Sequence, residues 1–399
     1  MMLHDGTITL ASGSWLATTN YIGYLLGAAL CTVLPRTWPS ALINRCGLAA
    51  TIILTAAIAL PVPALWPWLR LLAGIASAVV FVQTSGWCLA HLADHGRPTW
   101  GATIFTGPGA GIALSGLVAS ILVSQSIPAA MGWVVFGLLA LVLSSLVWRI
   151  FTGPNIATSV TVPPTVTEPE AMLSGEAADV VEREIAVAER SAHAVRTGVT
   201  KPAAGGSVEM AVFTLAYGIA GFGYIITATF LPVIARAALP GSVWLDLFWP
   251  ILGFGVVIGA LIAARVPARF DPRLLLVACY LLQGIGVALT LFLTNLVGFI
   301  AGSLLVGLPF TAISFFAMQD VRRLRPHHAA RFMGLLTAAY GIGQIVGPPL
   351  VSQLLRLSSS PAQGFAWSLT TASTALLIGA VLYLIMWLCW PINIRSNKA

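Results

Sequence analysis

Apolar runs of 20 or more residues recur along the chain and limit its fold more than any other feature of the sequence. Short turns rich in Pro, Gly, Ser or Arg separate these runs. About 20 apolar residues cross a bilayer as a helix, whereas membrane β-strands alternate in polarity over about ten residues. Only 20 Lys and Arg and 13 Asp and Glu occur among 399 residues, which is too few to cover a soluble enzyme of this length. The sequence therefore predicts an all-α integral membrane protein.

Eleven membrane-spanning helices are predicted, five before and six after one long polar stretch. Their predicted boundaries are 14–34, 42–62, 66–92, 100–124, 129–150, 209–235, 243–264, 274–294, 296–318, 332–355 and 365–390. The polar stretch between Gly153 and Val208 holds 11 of the charged residues. We therefore predict an N-terminal bundle over 1–152, a linker over 153–208 with a short amphipathic helix, and a C-terminal bundle over 209–399.

The Lys and Arg residues are divided very unequally between the two sides of the predicted helices. One side, which includes the linker and the C-terminus, holds 17 of the 20, whereas the other holds only Arg236 and Arg356. Basic connections lie preferentially on the cytoplasmic side of a membrane. We therefore expect a multi-pass protein of the cytoplasmic (inner) membrane, with the linker and the C-terminus cytoplasmic. The net charge of +7 then reflects topology, and no nucleic-acid partner is expected.

Neither a disulfide framework nor a metal site is expected from the cysteines. The five of them lie in or beside apolar runs and form no CxxC pair. The sequence gives no reason to expect a cofactor.

An internal repeat relates the two bundles. A shift of 232 residues superposes glycines of the first half on glycines of the second: Gly23 on Gly255, Gly27 on Gly259, Gly109 on Gly341, Gly111 on Gly343 and Gly132 on Gly364. Coincidence in a glycine-rich membrane protein is the alternative explanation. Duplicated units of parallel topology occur in the two halves of major facilitator transporters, so the repeat predicts two pseudo-symmetric bundles.

The predicted helix at 209–235 has no counterpart in the first half, because its repeat position would fall before Met1. Three explanations are open: a start codon placed too late, a truncated gene, or a genuine variant with eleven helices. We prefer the first, which predicts that residues 1–13 form an extracytoplasmic loop. The chain would then have twelve helices minus the first.

Four stretches resemble a known family. Residues 68–74, Trp-Leu-Arg-Leu-Leu-Ala-Gly, resemble the fourth-helix motif of major facilitators, and Gly-Pro-Gly-Ala-Gly at 107–111 resembles the fifth-helix motif often associated with exporters. The run 217–232 is similar to the seventh helix of the YbfB/YjiJ family of major facilitator proteins, and 15–27 resembles the second helix of that family. The resemblance implies the major facilitator fold and secondary transport by alternating access. The loop 34–39 lacks the acidic residue that many facilitators carry there.

Polar residues inside the predicted helices are candidates for a substrate path: Arg70, Asn20, Tyr24, Gln83, Tyr217, Tyr224, Tyr340 and Gln344. Arg70 is the ionisable residue placed most clearly inside a span, and a charge at that depth usually faces a cavity or a partner. The alternative is that its side chain reaches the outer interface beside Trp66 and Trp68. For each of the others, hydrogen bonding between helices is an equal alternative.

Two further groups of residues are expected to serve packing and gating. Small residues allow close helix packing, and a Gly-Pro pair allows a bend. The packing and hinge candidates are Gly23, Gly27, Gly74, Gly107, Pro108, Gly109, Gly111, Gly255, Gly259, Gly341 and Gly343. The candidates for a cytoplasmic gate are Arg265, Arg269, Asp320 and Arg322, in which Asp320 is expected to pair with neighbouring arginines.

The predicted function is secondary transport of a small organic solute, with export as one direction, by a monomer in the lipid bilayer. A membrane sensor or scaffold derived from a transporter is an alternative. An intramembrane enzyme is a weaker one, because no catalytic Ser/His, Asp/Asp or metal cluster is visible at a common depth.

Overall fold

The structure is a computed structural model that describes residues 1–33, 38–95, 98–152, 206–238, 247–267, 269–325 and 329–391. Contacts divide the chain into one unit of residues 1–155 and 207–399 and a second unit of residues 156–206. The predicted amphipathic helix of the linker lies outside the described residues. The helices discussed below therefore build the first unit.

The described residues contain eleven long helices and no strand. They are α1 (Leu10–Val33), α2 (Ser40–Ala57), α3 (Trp66–Asp94), α4 (Thr106–Ser124), α5 (Ala129–Val147), α6 (Gly206–Ala238), α7 (Phe248–Arg265), α8 (Pro272–Phe292), α9 (Leu296–Leu324), α10 (Ala329–Leu357) and α11 (Pro361–Cys389). Ten are long and apolar enough to cross a membrane. The exception is α1, which carries Thr18, Thr19 and Asn20 near its middle. The prediction of an all-α membrane fold is confirmed.

Local capping fixes the starts of three helices in the second half. Asp271, Asn295 and Ser360 each accept a hydrogen bond from a backbone amide in the first turn of α8, α9 and α11. A capping side chain satisfies one of the amides that have no partner inside the helix. The predicted starts of these helices lie within four residues of the observed ones.

Two predicted boundaries were wrong, and proline explains both. The second helix ends at Ala57 and not at residue 62, and a 3₁₀ turn follows over Pro63–Leu65. Prolines 61 and 63 disfavour the α conformation in the residues before them. The fourth helix was expected from residue 100, but the chain is 3₁₀ over Pro98–Phe105 and α-helical only from Thr106. Because Pro108 lies in the first turn of α4, its missing amide interrupts no established helix.

Glycines bring α1 and α3 into backbone contact. A β-carbon on Gly23 or Gly27 would collide with the backbone of α3 at Leu71 or Ile75. A β-carbon on Gly74 would collide with the backbone of α1 in return. These three residues therefore have the packing role that the sequence predicted.

The second half repeats this crossing between α7 and α9. A β-carbon on Gly255 or Gly259 would collide with the backbone of α9, and one on Gly307 would collide with the backbone of α7. Gly23 and Gly255 differ by 232 positions, whereas Gly74 and Gly307 differ by 233. The repeat therefore gains one residue between the two helices of each pair.

The two halves meet along two related helix pairs, α4 with α7 and α1 with α10. On α4 and α7, Gly109 and Gly253 place their backbones against each other, since a β-carbon on Gly109 would lie 2.9 Å from the Gly253 oxygen. On α10, a β-carbon on Gly341 would lie 3.3 Å from Cδ1 of Leu25 in α1. Gly109 and Gly341 are repeat counterparts, so equivalent positions of both halves face the other half.

The first residues of the chain pack at the start of α5. The amide of Ala129 donates a hydrogen bond to the Asp5 carboxylate, and this bond is the main cause of the lowered pKa of Asp5. The side chain of Met1 lies against Gly132. The placement of residues 1–13 outside the cytoplasm stays a prediction.

Candidate functional site

Three of the predicted tyrosines form one aromatic cluster between α6 and α10. The ring centroid of Tyr340 lies 5.1 Å from that of Tyr217 and 5.8 Å from that of Tyr224. Phe310 of α9 adds a fourth ring, 4.6 Å from Tyr224. Tyr217 and Tyr224 are seven residues apart, which places them on the same face of α6 two turns apart. The cluster is therefore an aromatic wall built by three helices of the second half.

Polar groups border this tyrosine cluster. The Gln344 amide donates a hydrogen bond of 2.6 Å to the Tyr224 hydroxyl, and the Tyr217 hydroxyl donates one of 2.8 Å to Ser314. The carbonyl oxygen of Gln344 has no donor among the residues that the structure describes. An amide offers both donors and an acceptor, so Gln344 retains the capacity to bind a further polar group.

The first half reaches the tyrosine cluster through α1. The hydroxyls of Tyr21 in α1 and Thr229 in α6 lie 3.3 Å apart. Tyr24, one turn further along α1, interacts electrostatically with Tyr217 and Tyr224. The tyrosine cluster therefore lies at the junction of the two halves, where alternating motion of the halves would change its surroundings.

Arg70 of α3 lies over the indole ring of Trp133 in α5. Its guanidinium carbon is 5.1 Å from the ring centroid, and the group also interacts electrostatically with Tyr21. A cation over an aromatic ring is attracted to its electron-rich face. In the described part of the chain Arg70 has no ion-pair or hydrogen-bond partner, so a charge that is costly in the membrane is left without a counter-ion.

Asn20 and Gln83 are half-buried, and neither side chain has a hydrogen-bond partner among the described residues. Asn20 contacts α3 through its backbone, because its carbonyl oxygen faces Gly74. Neither residue makes a described contact with the tyrosine cluster. Their substrate-path role stays a prediction.

The predicted hinge glycines of α4 divide between two faces. Gly109 is buried against α7, as described above. Gly107 and Gly111 are exposed, and a β-carbon on either would meet nothing within 4 Å. On α10, by contrast, Gly341 faces Leu25 and Gly343 is packed against α6.

Asp320 does not pair with the neighbouring arginines that the sequence suggested. Its carboxylate accepts a hydrogen bond of 3.2 Å from Nε of Arg273 in α8, and Arg273 also forms an ion pair with Glu209 in α6. The same guanidinium donates to the carbonyl oxygens of Met386 and Trp390. The Arg273 triad, Arg273 with Glu209 and Asp320, therefore joins α6, α8, α9 and the end of α11.

The other predicted gate residues are exposed. Arg322 points away from Asp320, because a step of two residues turns a helix by about half a revolution. Arg265 donates to the carbonyl of Leu261 in its own helix, and Arg269 lies over Phe270. The expected cluster of four gate residues is therefore not assembled in this structure.

Sequence reasoning missed Arg273 and Glu209 as partners. Both lie at predicted helix ends, where a charge is read as solvated, but both are almost fully buried. One available signal was the Asp271-Pro272-Arg273 start, which places the arginine in the first turn of α8. Nothing local indicates that the partners lie 64 and 47 positions away.

The largest cavity is an apolar groove of about 970 Å³ between α6 and α10. Its lining includes Leu215, Leu335, Ile342 and Val346, all of which are exposed apolar side chains. Gly343 is the one predicted site residue in that lining. Its composition suits lipid or an apolar molecule better than a polar solute.

Solved transporter structures share this fold. A crystal structure of the nucleoside transporter NupG matches with a TM-score of 0.66 and 13% identity, over 97% of this chain and 92% of that chain. A mutant of the same transporter gives 0.67 and 14%, over 97% and 93%. The human organic anion transporter MFSD10 (TETRAN) gives 0.59 and 19%, over 94% and 83%. At these identities the similarity establishes the fold alone.

No curated protein matches the sequence. The family model described as "Uncharacterised MFS-type transporter YbfB" matches residues 1–178 and 172–384, which together cover most of the chain. The two matched segments correspond to the two repeated halves. The chain therefore belongs to the YbfB family of major facilitator transporters, in agreement with the resemblance seen in its sequence motifs.

Proposed function

We propose that the protein is a secondary transporter that moves a small organic solute by alternating access between its two halves. The observation that carries this proposal is the tyrosine cluster with Gln344, placed where the hydroxyls of Tyr21 and Thr229 join the halves. A site at the junction of two repeated bundles becomes accessible from one side or the other when the bundles rock.

The substrate class we propose is a planar aromatic molecule with an anionic group. Tyrosine and phenylalanine rings pack well against flat rings, and the Gln344 oxygen offers an acceptor for a donor on the same molecule. Arg70, close to Tyr21, supplies a positive charge without a described counter-ion at the edge of the same junction. Binding of a carboxylate or phosphate would neutralise that charge.

We further propose a monomer in the cytoplasmic membrane, with the basic connections on the cytoplasmic side. The unequal division of Lys and Arg supports this orientation. The proposed direction is export, which rests on the resemblance of residues 107–111 to the exporter motif.

Transport and binding by the purified 399-residue chain test this proposal. Proteoliposomes are assayed with a panel of nucleosides, aromatic carboxylates and their neutral amides, and binding is followed by the shift in thermal midpoint. We expect an aromatic anion to be bound and moved. Arg70→Ala should then weaken binding of the anion about tenfold or more, with a smaller effect on its neutral amide, while Arg70→Lys retains part of the affinity.

Three results would overturn the proposal. If the folded protein binds and moves no member of the panel, aromatic anions are not its substrates. If Arg70→Ala weakens the neutral amide and the anion equally, Arg70 does not recognise the charge. If Tyr224→Ala leaves binding unchanged, the tyrosine cluster is not the site.

A further inference from the structure

One face of α4 is open, although its repeat counterpart on α10 is covered. Gly111 of α4 corresponds to Gly343 of α10. A β-carbon on Gly343 would lie only 2.6 Å from the amide nitrogen of Phe222, so the backbone of α6 rests directly on α10 there. A β-carbon on Gly111 would meet nothing within 4 Å. The face of α4 that should hold a helix therefore has none among the described residues.

The position one turn earlier shows the same difference. Gly107 corresponds to Ala339, which packs against α6, because a β-carbon on Gly218 would lie 3.1 Å from the Ala339 oxygen. A β-carbon on Gly107 would again meet nothing within 4 Å. Between these glycines and one turn beyond, Ala110 and Leu114 are also exposed. Two successive turns of α4 thus present small side chains to an empty surface.

The neighbouring helix α5 gives an independent indication of the missing contact. Trp133 of α5 corresponds to Phe365 of α11, whose ring lies 6.3 Å from that of Phe230 in α6. Over Trp133 there is no such ring, and the Arg70 guanidinium occupies that place. The indole nitrogen of Trp133 is buried without a hydrogen-bond partner among the described residues.

Burial differs between the halves in the same sense. In the spanning segments of α2 to α5, 11–22% of the residues are buried, against 28–61% in α6 to α11. The first half therefore lacks the contacts that α6 supplies in the second half.

We infer that the open face of α4, formed by Gly107, Ala110, Gly111 and Leu114 and bordered by Trp133, is a docking groove for one further transmembrane helix with the chemistry of α6. Such a helix has small residues against α4, as α6 has Gly218 and Gly221 against α10, and an aromatic ring over Trp133. Close contact between small residues is what drives helix association in lipid.

Occupation of this groove has a consequence for Arg70. A side chain over Trp133 would take the place of the guanidinium, which would then be turned toward Tyr21 and the junction of the halves. The inference itself does not depend on the proposed function, since it rests on helix packing alone.

Site-directed cross-linking tests the inference with a probe that the chain itself provides. A tagged segment of residues 206–238, which copies α6, is co-expressed with a cysteine-free full chain. The segment carries Gly218→Cys and the full chain carries Gly111→Cys. We expect a disulfide between them on oxidation with copper phenanthroline, because the counterpart Gly343 is in contact with Gly218.

Two matched variants of the full chain serve as controls. Gly343→Cys should cross-link to the segment less, because resident α6 covers that position. Gly334→Cys should not cross-link, although a β-carbon there also meets nothing within 4 Å. The segment should also raise the thermal midpoint of the unmodified chain but not that of Gly111→Leu.

Two results would overturn the inference. Cross-links between two full chains through Gly111→Cys, with none to the segment, would assign the groove to a second copy. A segment that is found in the membrane fraction by its tag, but neither cross-links nor shifts the thermal midpoint, would show that α4 does not bind such a helix.

Discussion

The Tyr224–Gln344 hydrogen bond fixes the polar edge of the tyrosine cluster. Tyr224→Phe keeps the ring and removes the hydroxyl that accepts the Gln344 amide proton. We expect a loss of about 1 kcal/mol in the free energy of unfolding, the usual contribution of such a bond. Thermal or denaturant unfolding in detergent measures this loss.

Gln344→Leu provides the matched second mutation for a double-mutant cycle. If the two side chains stabilise each other, the double variant is less destabilised than the sum of the single variants. Additive effects would show that the hydrogen bond contributes nothing measurable to stability.

Arg273 is the residue on which the second half depends most for its charge balance. Its guanidinium has four acceptors, the carboxylates of Asp320 and Glu209 and two carbonyl groups of the chain near α11. Arg273→Ala leaves two buried carboxylates without a cation and should destabilise the protein by about 3–5 kcal/mol. The measurement is the unfolding midpoint at neutral pH.

The isosteric variants distinguish charge from packing at this triad. Glu209→Gln and Asp320→Asn each remove one of two negative charges around a single guanidinium, so each should cost less than Arg273→Ala. Arg273→Lys should not restore full stability, because an ammonium group cannot reproduce the planar arrangement of donors. Equal losses in all four variants would contradict this account.

At the scale of helices, glycine crossings decide how closely the elements pack. A β-carbon on Gly259 would lie 2.6 Å from the carbonyl carbon of Leu308, which is backbone and cannot move aside. Gly259→Ala should therefore destabilise the α7–α9 crossing by at least about 1–3 kcal/mol, the range found for overpacked sites. The thermal midpoint measures this effect.

Gly334 in α10 is the control of opposite sign. A β-carbon there meets nothing within 4 Å, so Gly334→Ala should leave stability unchanged or raise it by up to about 1 kcal/mol through helix propensity. A destabilising Gly334→Ala equal to Gly259→Ala would mean that propensity and packing are not separable in this way.

At the scale of the whole molecule, the helices and the duplication were predictable because both leave local marks. Each span is an apolar run, and Gly23 and Gly255 mark the same crossing in both halves. The offset of 232 misplaced one detail, since Gly74 corresponds to Gly307. The counterpart of Arg70 is therefore Ser303 and not Gly302.

The pairing of distant side chains was not predictable in the same way. Asp320 was expected to pair with adjacent arginines, but burial selected Arg273, which only the bundle brings near. Arg70 was expected near Trp66 and Trp68, and it lies over Trp133. Sequence spacing identifies which residues share a helix face, whereas the partner across a helix pair depends on the assembled fold.

The contact between α1 and α10 offers a direct test of movement between the halves. A β-carbon at Gly341 would lie 3.6 Å from the β-carbon of Leu25, which is within the usual range for a disulfide. In a cysteine-free background, Leu25→Cys with Gly341→Cys should form a disulfide on oxidation. Because the two halves must rock for alternating access, the oxidised protein should lose transport and regain it after reduction.

The single variants and substrate binding complete this experiment. Leu25→Cys and Gly341→Cys alone should be insensitive to the oxidant, and the oxidised double variant should still bind the aromatic anion identified with the reduced protein. Binding without transport would locate the defect in the motion of the halves and not in the tyrosine cluster. Full transport by a completely cross-linked protein would contradict alternating access through this interface.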